Sequence, residues 1–440
     1  MKKKNIQKTI FTLTDAANFK QKAVNWAVNH AKVVCYLDNN GYTEGYLPTE
    51  FEGLLAIGTE TEIFNISNAS SFKRLQDLHD RRKNWLFGFL SYDLKNEIER
   101  LESNHFDGLD FPNMHFFEPQ ILLKISSKSV EFLKNTEGFP NQEILQNIDN
   151  QSLEKQQTFD FNIQSRFSKP EYLATVERIK RHIHRGDIFE MNFCQEFFIE
   201  NAALNPTALF HALNALAQTP FAAFYKLHDT YIMCASPERF LKKSGQKLTS
   251  QPIKGTSKRG NTEGEDLDLK NDLQNDPKNR SENVMIVDLV RNDLGKISET
   301  GTVKVTELFG IYSFPTVHQM ISTIESTLKH DLPFTEALRQ TFPMGSMTGA
   351  PKVRALQLIE QYERTRRGAY SGAIGYITPE GDFDFNVVIR SILYNATRQY
   401  ASFQVGGAII AESDAEKEYV ECQIKSANMR RILTEIHSKS

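Results

Sequence analysis

The chain has 440 residues, 40% hydrophobic and 24% charged, with 52 Lys/Arg against 55 Asp/Glu and a net charge of −3. This suits one large or two ordinary globular domains; the interspersed charge leaves no basic footprint for nucleic acid, and no apolar run approaches the roughly 18 residues of a membrane span. Cys35, Cys194, Cys234 and Cys422 lack CxxC spacing, which suits reduced thiols in the cytoplasm and argues against zinc or a disulfide framework.

In chain order, residues 1–133 read as mixed short helices and strands, with strand-like apolar runs at 33–37, 85–90 and 120–125. No apolar segment follows Lys2-Lys3-Lys4, so no secretory signal is expected. Residues 134–164 turn to Asn, Gln, Glu and Lys, a surface connection with room for one short helix. Order resumes at Ser168, which forms a capping box with Glu171 while Phe167 and Tyr172 make a hydrophobic staple across it. Leu173, Val176, Ile179 and Ile183 follow at helical spacing until Gly186 ends the helix. A strand is expected over 187–199, and a hairpin pair over 221–227 and 231–235 around His228-Asp229. Helices are expected over 281–293, 334–340, 352–365 and 414–437, and consecutive antiparallel strands over 369–377, 384–393 and 402–410. Without βαβ alternation, the class is α+β with large antiparallel sheets packed with helices. The chain divides into an N-terminal region (1–133), a polar connection (134–164) and a main domain (165–438).

The chemistry concentrates in the main domain. Lys254 stands in Gln251-Pro-Ile-Lys-Gly-Thr256, on a stiff, partly apolar approach. Burial there lowers an ammonium pKa and leaves an amine able to attack carbon, whereas a turn on the surface leaves an ordinary lysine. Glu238, in Ser236-Pro-Glu-Arg-Phe240, is either a proton shuttle or a partner for a cation. Glu282 falls in the first turn of the 281–293 helix, comfortable against its dipole. Ser413 and Glu416 cap the last helix, and Glu418, Glu421 and Lys425 share one face of it. This is a solvated stripe by default, yet two carboxylate helices can also converge on one hard divalent cation, with an anionic ligand completing the shell.

Pro343-Met-Gly-Ser-Met-Thr-Gly-Ala-Pro351 offers Ser346, Thr348 and backbone N–H groups to a carboxylate, and Gly406-Gly407 is a turn or an anion nest. Tyr370 and His318 lie in apolar sequence that usually holds satisfied core residues. Arg390 is different, because a charge amid Val388-Ile389 and Ile392-Leu393 needs a partner, such as a ligand carboxylate gripped bidentately. No phosphate-binding loop or dinucleotide fingerprint appears.

These motifs, in this order, resemble those of the chorismate-utilising enzymes, the family of anthranilate, aminodeoxychorismate, isochorismate and salicylate synthases. The resemblance rests on Gly186-Asp-Ile-Phe-Glu-Met-Asn192, Ser236-Pro-Glu-Arg-Phe240, Pro252-Ile-Lys-Gly-Thr256 and the run from Glu282 to Asp293. It continues through Thr316-Val-His318, Gly345-Ser-Met-Thr-Gly-Ala-Pro-Lys352, Arg367-Gly-Ala-Tyr-Ser-Gly-Ala373 and Glu418-Tyr-Val-Glu421, covering about 167–427. It implies the anthranilate synthase large-subunit-like fold. Lysine at position 254, where anthranilate synthases typically carry alanine, implies the aminodeoxychorismate synthase branch, which serves 4-aminobenzoate and folate synthesis.

On that resemblance, Glu282 and Glu421 hold Mg²⁺ for the ring carboxylate of chorismate. Arg390 and Tyr370 grip the enolpyruvyl carboxylate, assisted by Thr348, Gly406 and Gly407, and Lys425 adds positive charge. Lys254 attacks C2 as the C4 hydroxyl leaves, with Glu238 and His318 moving protons, and ammonia then displaces it. No Gly-x-Cys-x-Gly turn is present, so a separate glutamine amidotransferase is the implied source of ammonia. Three positions depart from the family pattern: Glu190 stands where the amine-using branches usually have glutamine, Asn283 where histidine or asparagine is common, and Ala408 where a third glycine is usual. Anthranilate synthase activity is the alternative, and a non-catalytic subunit that docks an amidotransferase is a further one.

Overall fold

The computed structural model describes residues 10–42, 49–65, 70–153 and 161–434. Two antiparallel sheets, of 12 and 10 strands, pack face to face. The reason is visible in single strands. Val33–Asp38 sends Val33 and Cys35 into the core between the sheets, and Val34 and Tyr36 into a second core under the outer helices. A strand with both faces covered reads as a continuous apolar run, and this one does.

The larger sheet runs, through its middle, Gly53–Ile57, Val33–Asp38, Phe221–Leu227, Thr230–Ser236, Ser391–Asn395, Tyr400–Ile409 and Glu190–Ile199. The smaller one carries Ile253–Lys258, Val317–Thr327, Lys247–Gln251, Arg239–Ser244, Phe383–Asn386, Ala373–Ile377 and Leu86–Leu90 in that order. Both therefore interleave early and late strands: Val33–Asp38 pairs with Phe221–Leu227, and Leu86–Leu90 with Ala373–Ile377. The division of the chain at 133 and 165 is one of composition; the stretches on either side share both sheets and the core between them. Within the polar connection, the helix Asn141–Asp149 buries Ile144, Leu145 and Ile148, and residues 154–160 lie outside the described residues.

Several expected elements need correction. The helix placed over 281–293 spans Pro277–Ile297, because Asp276 caps it and Pro277 occupies its first turn. Glu282 is thus beyond the first turn, away from the helix dipole's positive end. The strand placed over 384–393 is two strands in different sheets, Phe383–Asn386 and Ser391–Asn395, broken where Arg390 takes φ +52°. The last helix is described over Ala415–Thr434 and is capped by Asp414, whose carboxylate accepts from Lys417 N–H; Ser413 instead bonds Glu418, and Glu416 pairs with Lys169. The capping box at Ser168 and Glu171 is present, and Phe167 and Tyr172 both pack on Phe193.

Candidate active site

Two chain crossings between the sheets make the floor of the site. One links Thr230–Ser236 to Arg239–Ser244 and carries Glu238; the other links Phe383–Asn386 to Ser391–Asn395 and carries Arg390. They are stitched together by their backbones: Val387 N–H donates to the Glu238 carbonyl at 3.0 Å, and Ala235 N–H to that of Arg390 at 3.3 Å. The left-handed backbone at Arg390 is uncommon for a residue with a side chain, and such positions concentrate at ligand sites. Its guanidinium makes no hydrogen bond or ion pair among the described residues. Burial lowers its pKa, with the Glu238 carboxylate opposing.

Glu238 is buried, and burial raises its carboxyl to about 7 against the pull of Ser346, Lys254, the Ile253 backbone and Arg390. Lys254 lies on the edge strand Ile253–Lys258, also buried, with Nζ 3.0 Å from Oε1 of Glu190 on the opposite sheet. The residue after it, Gly255, has φ +93°, and a Cβ there would press on Asn279 at 3.1 Å, so the strand stays close to the Glu282 helix only with glycine. The expected lowered pKa of Lys254 is corrected. Burial does act downward, but Glu190, Glu282 and Glu238 together hold the ammonium above its usual value.

Helices Pro277–Ile297 and Ala415–Thr434 supply the carboxylates of the far wall. Burial and the neighbouring Glu190 and Glu421 raise the Glu282 carboxyl, while Lys254 and Lys278 oppose the shift. Lys425, at 2.6 Å, lowers Glu421 and also donates to the Gly406 carbonyl at 2.9 Å. Gly407 permits this approach, since a Cβ there would sit 3.0 Å from Glu418 Oε2 and 3.6 Å from Glu421 Oε1. Among the described residues no group of three or more His, Cys, Asp or Glu forms a ready-made metal cluster. Glu282 and Glu421 nonetheless fit a magnesium ion: they are hard oxygen donors close enough to repel each other, and magnesium needs only one or two carboxylates when an anionic ligand completes its shell.

Other expected site residues are placed differently. His318 is buried on Val317–Thr327 with both ring nitrogens engaged, Nδ1 with Ser313 at 2.8 Å and Nε2 with Asp266 at 2.9 Å. It is a buried histidine whose two ring nitrogens both have protein partners. The Thr348 hydroxyl turns back on its own loop, toward the carbonyls of Met344 and Gly345. The Tyr370 hydroxyl lies 3.8 Å from the Cys194 thiol, and Cys194 pairs with Gly406, so Tyr370 backs the Gly406-Gly407 strand. Sequence reasoning missed Lys278, which spans Glu282 at 3.7 Å and Glu418 at 3.3 Å. Its place one helical turn before Glu282 was the available signal.

Lys254, Lys425 and Arg390 stand among these carboxylates, and of the three the Arg390 guanidinium has no hydrogen bond or ion pair among the described residues, so a small anion would meet its charge there. The model of the family described as chorismate binding enzyme matches residues 33–431, and the chain belongs to that family. Among curated relatives, aminodeoxychorismate synthase component 1 of Bacillus subtilis is 33% identical over 362 residues, covering 79% of this chain and 76% of that protein. The Salmonella typhimurium protein of the same name is 40% identical over 258 residues, 59% of this chain and 56% of its own length. The chain therefore matches little more than half of the Salmonella protein. Among solved structures, anthranilate synthase component I from Streptococcus pneumoniae superposes with TM-score 0.75 at 25% identity, covering 88% of this chain and 94% of that one. The fold is that of the chorismate-utilising enzymes, as the motifs implied.

Proposed function

We propose that the protein converts chorismate and ammonia to 4-amino-4-deoxychorismate, the reaction named for its aminodeoxychorismate synthase relatives. The observation that carries this reading is a buried amine, Lys254, 3.0 Å from Glu190 and within electrostatic reach of Glu238, the carboxylate that also faces Arg390, whose guanidinium has no hydrogen bond or ion pair among the described residues. In this reading Arg390 takes the enolpyruvyl carboxylate bidentately, with the Gly406-Gly407 backbone and Lys425 completing the polar wall. Tyr370 and Thr348 support these elements from behind.

Lys254 is the nucleophile toward C2. Its attack shifts the ring's two double bonds and breaks the C4–O bond, and Glu238, raised by burial to about 7, gives the leaving hydroxyl its proton when protonated. Ammonia then adds at C4, the double bonds shift back and Lys254 leaves. In this reading the protons move through Glu238, and His318 is held by Ser313 and Asp266. Glu282 and Glu421 would hold Mg²⁺, which supplies charge neutralisation and orientation for the ring carboxylate.

The reading includes a separate glutamine amidotransferase as ammonia source. It also includes a cytoplasmic location, which suits four buried free cysteines; no described helix is long and apolar enough to cross a membrane. The test is incubation with chorismate, MgCl₂ and an ammonium salt, with products separated by chromatography. 4-Amino-4-deoxychorismate as main product supports the reading; anthranilate as main product transfers the protein to the other amine-using branch.

A further inference from the structure

The mechanism above leaves one buried group unused. Glu190 opens the strand Glu190–Ile199, is 1% exposed, and pairs in register with Ala350 of the loop that also holds Ser346. Its Oε1 accepts from Lys254 at 3.0 Å, and its Oε2 is buried with no hydrogen-bond partner among the described residues. A buried carboxylate with one oxygen on the nucleophile and the other left free is costly to keep unless it acts. The glutamine that the family resemblance leads one to expect here would bond the same amine and accept no proton.

We propose that Glu190 is a catalytic base, taking a proton from the Lys254 ammonium as the amine attacks and returning it when the amine leaves. The inference rests on the reading of Lys254 as nucleophile. The protons then balance without help from solvent. A Lys254 N–H proton passes to Glu190 Oε1, the nitrogen lone pair forms the N–C2 bond, and the C4 hydroxyl departs as water with the proton of Glu238. In the second half, ammonia forms the N–C4 bond and the C2–N bond breaks, with its electron pair returning to Lys254. Glu190 gives its proton back to Lys254, and Glu238 takes one from the new C4 ammonium. Both carboxyls end as they began. The two flank one amine in different settings, Glu190 in an ion pair at 3.0 Å and Glu238 raised by burial to about 7, an arrangement that separates base from acid.

The test is E190Q, which keeps the shape. Charged groups facing Lys254 from other elements are Glu238, Glu282, Glu421 and Lys425, and these are unchanged in the variant. The proposal expects kcat at pH 7 to fall about 10²-fold, within the usual range for a general base, with the KM for chorismate nearly unchanged. The deficit should shrink by up to tenfold per pH unit as pH rises, because Lys254 must then lose its proton to solvent. Wild-type kcat at every pH, or the same loss at every pH, overturns it.

A second readout needs no turnover: acylation of Lys254 by acetic anhydride, followed by mass spectrometry across pH. Loss of the carboxylate should move the onset of labelling to lower pH in E190Q. An unchanged onset shows that the pair does not form in solution and overturns the proposal independently. Full turnover in K254A sinks the nucleophile reading and the base role together, and is distinguishable because the labelling shift does not depend on it.

Discussion

Lys278 Nζ stands 3.3 Å from Glu418 Oε1, so a cation already spans the two helices that carry the candidate magnesium ligands. The same ammonium lies 3.7 Å from Glu282, and the lysine is only partly buried. Opposed carboxylates on two helices need positive charge between them, and a half-exposed lysine is weakly held enough to yield to a divalent ion.

Removing one carboxylate should therefore relieve repulsion while removing a metal ligand. E282Q is expected to lose magnesium-dependent turnover, yet to melt a few degrees higher than wild type at pH 8, because the buried carboxylate is disfavoured by its neighbours. The Tm gain should vanish as pH falls and Glu282 takes up a proton in the folded state. Magnesium chloride should raise the Tm of wild type and not of E282Q; calorimetry across pH, with and without the metal, reads all three.

Glu238 gives a pH profile of definite sign. Its carboxyl titrates at about 7 and must be protonated to assist the leaving hydroxyl, so kcat should fall above neutrality with the loss of one proton. Replacement by glutamine should lower kcat and abolish this limb. The stability linkage runs the same way. A carboxyl whose pKa is raised in the folded state binds more protons there than in the unfolded chain, so stability is lost as pH rises from the ordinary carboxylate range toward 7. Roughly 3 kcal/mol is at stake, and E238Q should be more stabilised at pH 8 than at pH 5.

Arg390 is expected to act through substrate binding. Its replacement by alanine should raise the KM for chorismate by about 10²-fold, the weight of one or two charge-assisted hydrogen bonds. Lysine should rescue only part of this, since it presents a point charge in place of a planar fork. Steady-state kinetics on the two variants decides it; an unchanged KM in R390A would remove Arg390 from the site.

The glycine pair should be sensitive in different ways. Alanine at 406 would put a Cβ 2.3 Å from the Phe193 carbonyl and 2.5 Å from the Cys194 thiol, so the strand must part and stability should fall by roughly 1–3 kcal/mol. Alanine at 407 meets carboxylate ends at 3.0 and 3.6 Å, which can shift. Its effect should fall on turnover more than on Tm, as thermal melts and activity measured side by side will show.

Which residues cluster was legible in the sequence: residue type and neighbours single out Lys254, Glu238, Glu282, Glu421 and Arg390, and the fold brings them within electrostatic reach of one another. The ionisation of Lys254 was not legible, because its sign depends on which carboxylates other elements bring within reach. Glu190 lies 64 positions away in sequence and Glu282 faces the amine from a separate helix. The partners of His318 were not legible for the same reason, since Ser313 and Asp266 reach it only once the chain is folded. The break at Arg390 escaped notice because residue type rarely announces a left-handed backbone outside glycine and asparagine. The Pro277 start of the Glu282 helix, by contrast, carries a plain signal in Asp276-Pro277.

The most direct test of the central claim follows the products of chorismate, magnesium and ammonium with wild type and K254A in parallel. The account predicts 4-amino-4-deoxychorismate from wild type and a loss of about 10³-fold or more in K254A, the scale of a missing nucleophile. Undiminished formation of that product by K254A would contradict it.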